Sequence, residues 1–366
     1  MFRMQKPLPP EFSEASDSFL IESIKRSKEI LGESLFILGH HYQRDDIIQF
    51  VDARGDSLAL SKLAAAQTAA KYIVFCGVHF MAEAADILTS DDQIVILPDL
   101  NAGCSMADMA NIDQVSLCWQ DLEAIVDIKN VVPITYINSA ANLKAFVGRY
   151  GGSVCTSSNA QSVVKWALNK SENSKIIFFP DQHLGRNTAY DLGFNENDMV
   201  VWDPHMELGG NDKQELADAK FILWKGHCSI HQRFSTSNIA DFRKQYPNGQ
   251  VIVHPECSHD VVSEADLAGS TDYIIKTITA APTGAIFGVG TEIHLVNRLA
   301  TEHPDKTIVS LDPLVCPCAT MFRIDLKHLA WILNMLTKGT VTNQIKVEKD
   351  IQEFAKLALD RMLEIV

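Results

Sequence analysis

The chain has 366 residues, 46% apolar and 21% charged, with a formal net charge of −14 from 32 basic and 46 acidic side chains. That length predicts two or three domains and lets a chain bury roughly 75% of its unfolded surface. The acidic balance argues against nucleic-acid binding and against attachment to an anionic membrane.

No segment approaches the ~20 continuous apolar residues of a membrane span. The start, MFRMQKPLPPEFSEASD, lacks the apolar core of a signal peptide, so the expected compartment is the cytoplasm. Cysteines stand at 76, 104, 118, 155, 228, 257, 316 and 318. They are too sparse for a disulfide scaffold, and the absence of any CxxC pair weakens zinc-ribbon and thioredoxin-like readings.

In chain order, an amphipathic helix comes first, with Leu20, Ile24, Ser27 and Leu31 on one face and Gly32 placed to end it. Apolar, β-branched runs follow at 34–42, 72–80 and 94–99, then at 131–139, 153–158, 175–181 and 221–228. The last runs lie at 250–258, 272–279, 286–290 and 306–313. Such runs fit strands buried on both faces, and helical segments between them imply parallel α/β sheets. The segment 185–215, with Gly209 and Gly210, reads as an insertion or loop.

The runs fall into three sets, an internal repeat of about 90 to 125 residues. Each set opens on a run ending in polar groups: His40 and Tyr42, Tyr136 and Asn138, His254 and Glu256. Each closes on a run followed by a cysteine: Cys104, Cys228 and Cys318. Ligands collect at the carboxyl ends of parallel strands, so three such domains facing a common centre would gather three thiolates. The expected boundaries are a helical extension over 1–33, α/β domains over 34–125, 126–245 and 246–322, and C-terminal helices over 323–366.

A lone cysteine is ordinarily a small buried hydrophobe, and Cys76, inside an apolar run, reads that way. Cys104, Cys228 and Cys318 instead follow strands in loops containing Gly or Pro, where a thiolate is accessible. Three thiolates without an obvious fourth ligand suggest an iron–sulfur cluster with one open iron, or zinc with a free position. Around them, His40, Tyr42, Ser57, Tyr136, Asn138, Ser157, His231, His254, Glu256 and Thr271 lie at or just after strand ends. Ser57 also suits a helix N-cap, His40 and His41 suit a core, and Thr271 suits a turn. No GxGxxG follows the first strand and no GxSxG occurs, which disfavours a dinucleotide binder and a hydrolase. In HPECSHD, alternation along an extended segment puts His254 and Glu256 on one side, as a proton-transfer pair or a buried structural pair.

The stretches GHHYQ, GDSLALSKLAA, CGVHFMAEAADIL, LNAGCSMADM, TYINS, CTSSNA, PDQHLGRN, WKGHCSIHQRF, HPECSHDV, GSTDYI, GTEIHLVNRL and CATM occur in this order. Together they resemble quinolinate synthase, the iron–sulfur enzyme of de novo NAD biosynthesis, from about residue 34 to about residue 330. The resemblance implies three pseudo-equivalent three-layer α/β/α domains, with parallel sheets around a central cluster site. It implies a 4Fe–4S cluster on Cys104, Cys228 and Cys318; CATM, matching the family's CxxM, selects Cys318 and leaves Cys316 a neighbour. The longer cysteine-rich run of some members is absent.

The implied reaction condenses iminoaspartate with dihydroxyacetone phosphate to quinolinate, with an open iron as Lewis acid. Glu256 with His254 would move protons, while His40, Tyr42 and His231 would orient intermediates and share proton transfers. Ser57, Tyr136, Asn138, Ser157, Ser270 and Thr271 would hold carboxylate and phosphate, with His40, His254 and Glu256 also touching substrate. A functional link to an L-aspartate oxidase is implied. Competing readings are an iron–sulfur or zinc sensor of a small dicarboxylate, and another cluster-dependent hydro-lyase.

Overall fold

The computed structural model describes residues 5–314 and 317–365; Cys316 lies outside the described residues. The strands are β1 (Leu35–His40), β2 (Ala53–Gly55), β3 (Tyr72–Cys76), β4 (Ile94–Ile96), β5 (Val131–Tyr136), β6 (Ser153–Cys155) and β7 (Lys175–Phe179). They continue as β8 (Met199–Trp202), β9 (Phe221–Trp224), β10 (Gln250–Val253), β11 (Leu267–Ala268), β12 (Ile286–Gly290), β13 (Thr307–Ser310) and β14 (Gln344–Ile345). Helices of nine residues or more are α1 (Asp17–Leu31), α2 (Ser57–Ala66), α3 (His79–Leu88), α4 (Ile112–Glu123), α5 (Ala141–Arg149) and α6 (Ala160–Leu168). After them come α7 (Gln182–Asp191), α8 (Thr236–Gln245), α9 (Thr271–Ala280), α10 (Ile293–Glu302), α11 (Leu326–Thr337) and α12 (Lys349–Glu364).

The fold is α/β, with three parallel sheets flanked by helices. Their strand orders are β14-β4-β3-β1-β2, β6-β5-β7-β9-β8 and β11-β10-β12-β13. In the first and third sheets four parallel strands run in the order second, first, third, fourth; the second sheet repeats that order with β6, β5, β7 and β9 and adds β8 as a fifth parallel strand at its edge. Among the described strands β14 alone is antiparallel, pairing Ile345 with Val95 on β4 at the edge of the first sheet. All residues of β3 and β5 are buried, as expected of strands covered on both faces by crossover helices.

The chain forms two compact units. One comprises residues 1–104, 292–298 and 316–348 and carries the first sheet, with α1 packed on α11 through buried Leu20 and Ile24. The amphipathic reading of α1 holds: Leu20, Ile24 and Ser27 are buried, and Gly32 follows at φ 49°. The other comprises residues 105–291, 299–315 and 349–366 and carries the second and third sheets, with α12 packed on α5. Among the described residues, no helix is long and apolar enough to cross a membrane.

Three local expectations are corrected. Residues 272–279 are not a strand but most of α9: Ser270 caps the helix by accepting the Tyr273 amide, and Ile274 and Ile278, four apart, form its buried face. The 185–215 segment is not a plain insertion, because it finishes α7 and supplies β8, which pairs with β9 from Met199↔Phe221 to Trp202↔Trp224. Ser57 is the first residue of α2 and not its cap; Asp56 caps it, accepting the Ala59 amide at 2.8 Å.

The contact of α5 with α12 depends on Gly148, where an added Cβ would stand 1.9 Å from the Phe354 carbonyl oxygen. Backbone cannot yield as a flexible side chain can, so the helices would have to separate. Gly148→Ala is expected to destabilise the chain by about 1–3 kcal/mol in denaturant unfolding. An unchanged midpoint would show that α12 does not depend on this close approach.

Candidate active site and cysteine loops

Polar side chains at strand ends have two fates in a parallel fold: capping the next helix, or facing the crevice above the sheet. Both occur here, and they divide the residues by place in the repeat. After the first strand of the third sheet, the chain turns at His254-Pro255-Glu256. The Glu256 amide donates to His254 Nδ1 at 3.3 Å. The same turn follows the first strand of the first sheet, where the Tyr42 amide donates to His40 Nδ1 at 3.1 Å. In both histidines the Nδ1 lone pair is thus engaged, which leaves Nε2 to carry the hydrogen of the neutral ring.

Glu256 is 3% exposed and sits at the centre of a hydrogen-bonded group. Tyr136, at the end of β5, donates its hydroxyl to Glu256 Oε1 at 2.6 Å. His231 Nδ1 meets Oε2 at 2.8 Å, and His231 Nε2 lies 3.2 Å from the Thr291 hydroxyl. The rings of His231 and His254 stack at 4.6 Å. His254 Nε2 reaches the Ser157 hydroxyl at 3.2 Å, whereas its Nδ1 is 3.8 Å from the carboxylate. The direct hydrogen-bond partner of Glu256 is therefore His231 and not the neighbouring His254, to which the turn presents an amide instead.

Burial alone would raise the Glu256 carboxyl. The His231 and His254 imidazoles and the hydrogen bonds from His231 and Tyr136 outweigh it and hold the group below the usual carboxylate range. Burial brings His254 down to about 3, opposed by Glu256 and reinforced by His231. His254 is accordingly a neutral donor beside an ionised carboxylate.

The remaining candidates of this unit flank that group. Asn138 is half-buried, and its Oδ1 is enclosed with no hydrogen-bonding partner. The carbonyls on either side of it, of Ile137 and Ser139, both accept from the buried Lys144 ammonium. Ser270 and Thr271 are buried at the start of α9. Ser157 also lines a cleft of about 300 Å³ with Asn187, Thr188, Pro255 and Gly269. In the other unit, His40 is buried with its ring 4.7 Å from that of the half-buried Tyr42. Ser57 is half-buried at the start of α2.

Seven cysteines are described, none of them in a disulfide. Cys76, Cys118, Cys155 and Cys257 are buried, while Cys104, Cys228 and Cys318 are partly exposed. Burial pushes Cys76 up to about 12 and Cys118, Cys155 and Cys257 well above the ordinary thiol value, so none of the four is a ready thiolate. The three exposed thiols share one loop design. Each stands seven residues before the N-cap of a long helix: Asn111 of α4, Ser235 of α8 and Asp325 of α11. A single helical turn lies between, at Ser105–Asp108, His231–Arg233 and Met321–Arg323. Cys228 and Cys318 each accept the amide four residues on, at 3.0 and 2.9 Å.

Five residues past each cysteine stands a tether. Arg323 pairs with Asp99 at 2.9 Å, Arg233 with Asp312 at 3.4 Å, and Met109 Sδ accepts the His227 amide at 3.4 Å. Cys228 Sγ, a His231 nitrogen and a Glu256 oxygen lie within 4.8 Å of one another, a group able to hold a metal ion.

Sequence reading missed Asp181, Thr291, Glu292 and Arg298. Asp181 and Glu292 are both fully buried just after the third strands of their sheets. Arg298 donates to the carbonyls of His41 and Gln43 and to Asp45, and so braces the loop that carries Tyr42. Their position in the repeat was the available signal.

A family model described as quinolinate synthetase A protein matches residues 21–364. The quinolinate synthase of Streptomyces coelicolor (strain ATCC BAA-471 / A3(2) / M145) is 54% identical over 360 residues, spanning 98% of this chain and 91% of that protein. That of Bacillus cereus (strain ZK / E33L) is 53% identical over 359 residues, spanning 98% of this chain and 96% of that protein. A Bacillus anthracis quinolinate synthase (strain CDC 684 / NRRL 3495) shows the same identity and coverage. With its site group and cysteine loops set out above, the chain belongs to the quinolinate synthase family of enzymes.

Proposed function

We propose that the chain condenses iminoaspartate with dihydroxyacetone phosphate to give quinolinate, phosphate and two waters, and that it does so with a 4Fe–4S cluster. The observation that carries the reading is the buried Glu256 carboxylate, ionised between Tyr136 and His231 and close to the Cys228 thiol. The donor set fits such a group. Of the described cysteines, only Cys104, Cys228 and Cys318 combine partial exposure with a common loop, and these three would hold the cluster. When bound, it supplies an open iron as a Lewis acid for departing hydroxyl groups.

The chain's own residues account for the rest. Glu256 and His231 share a proton across their 2.8 Å contact, so His231 can give one up or take one while the carboxylate holds the balancing charge. The hydroxyl of Tyr136 fixes the second carboxylate oxygen and keeps the pair from rotating. Neutral His254 offers Nε2–H toward Ser157, a donor suited to a substrate carboxylate or carbonyl. Ser57, Asn138, Ser157, Ser270 and Thr271 hold carboxylate and phosphate through hydroxyl, amide and helix-start donors. His40 and Tyr42 orient intermediates and share proton transfers. We place the enzyme in the cytoplasm, with iminoaspartate supplied by an L-aspartate oxidase.

Under anaerobic conditions the purified chain is expected to form quinolinate from the two substrates. Glu256→Gln should reduce turnover by about 100-fold or more with iron content unchanged. Full turnover in that variant would remove Glu256 from proton transfer, and ligand binding without any turnover in the wild type would favour a sensor. Alanine at Cys104, Cys228 or Cys318 should each abolish the visible cluster absorption and most bound iron. Cys257→Ala and Cys316→Ala should keep both. One equivalent of zinc in place of iron would point instead to a mononuclear site at Cys228, His231 and Glu256.

A further inference from the structure

Two buried carboxyl groups have no part in the chemistry above, yet they occupy the same place in the repeat. Asp181 lies two residues past the end of β7, and Glu292 two residues past the end of β12. Asp181 caps α7, accepting the His183 and Leu184 amides at 2.7 and 3.0 Å. Glu292, immediately ahead of α10, accepts the His294 amide at 2.7 Å. A cap ordinarily ends its work there, on the orphan amides of its own helix. Glu292 does something more: its Oε1 accepts the backbone N–H of Cys318 at 3.1 Å. Asp181 does not, for its second carboxyl oxygen is enclosed with no hydrogen-bonding partner. The corresponding cap of α3 is Val78, which has no acceptor, so the arrangement serves one of the three cysteine loops.

Both side chains are 0% exposed. Burying a carboxyl is costly, and helix capping alone needs only the cheaper Ser, Thr or Asn. A carboxyl, by contrast, can serve several amides at once: Glu292 takes the amide and ring nitrogen of His294 as well as the Cys318 amide. We propose that Glu292 is a positioning residue that seats the backbone of Cys318 and so presets that thiol for the inorganic group. The inference rests on the cluster reading for its purpose, but the seating itself is a property of the chain.

The test uses the full-length chain, metal-free and reconstituted with iron and sulfide, and a variant that fills the same space without an acceptor. In Glu292→Met, hydrogen exchange at the Cys318 amide should accelerate at least about 10-fold in the metal-free chain, with the Cys228 amide unaffected. Glu292→Gln, which keeps a carbonyl acceptor, should stay close to wild type and guard against a trivial folding defect. In reconstituted protein, Glu292→Met should lose iron to a chelator about 10-fold faster than wild type, as second-sphere removals do at metal sites. Unchanged exchange at the Cys318 amide in Glu292→Met would overturn the proposal, as would equal iron loss from variant and wild type. If exchange shifts as expected but wild type takes up no iron, the seat stands and the cluster reading falls.

Discussion

A carboxylate that is 3% exposed persists only where donors surround it, and Glu256 is such a group. It follows β10, yet its two partners come from elsewhere: Tyr136 from the end of β5 and His231 from the turn after β9. Satisfying one charge therefore registers strand ends from two different sheets within one unit. Removing either partner would strand the charge, a loss that in buried pairs runs to about 3–5 kcal/mol. The two histidines and the tyrosine are consequently tied to the same requirement. The low setting of Glu256 and the neutrality of His254 arise from that arrangement and from burial, and they decide which groups carry hydrogen when substrate arrives.

The repeat explains how one architecture supplies different parts. First strands end in a turn where a histidine accepts the amide two residues on, at His40 and at His254. Third strands lead into the caps Val78 and Asp181 and into Glu292 just ahead of α10, and Glu292 alone of these reaches forward to a cysteine. Fourth strands lead to the cysteines, each followed by one helical turn, a tether and a capped helix. Function is thus distributed by position along the α/β unit. Divergence at equivalent positions, Val78 against Asp181 or Met109 against Arg233, makes the three copies unequal.

Much of this was legible in the sequence, and the exceptions have physical causes. Strands such as β3, β5 and β7 read clearly because both faces are covered and the run is apolar throughout. Edge strands β2 and β11, of three and two residues, leave no such run to see. The segment 272–279 misled because its isoleucines and threonines favour strands, and a cap at Ser270 with Ile274 and Ile278 on one face prevailed over propensity. The cysteines were legible by context and Glu256 by motif. Its pairing with His231 was not, since the partners are 25 residues apart and the nearer His254 is occupied by an amide. Asp181 and Glu292 were marked only by their place in the repeat, since a lone carboxylate carries no sign of which amides it will serve.

The cysteines show how far environment, and not residue type, sets role. Four of the seven described thiols lie where burial suppresses ionisation, and there cysteine behaves as a small apolar side chain filling the sheets and their flanking helices. The other three stand partly exposed, seven residues ahead of a helix cap, in loops tethered by an arginine or a methionine. That spacing also bears on the CPC pair. Cys318 stands at the shared distance from Asp325, whereas Cys316 would be nine residues away and out of step with Cys104 and Cys228. Motif and repeat therefore select the same residue on independent grounds, one from sequence likeness and the other from where a capped helix must begin.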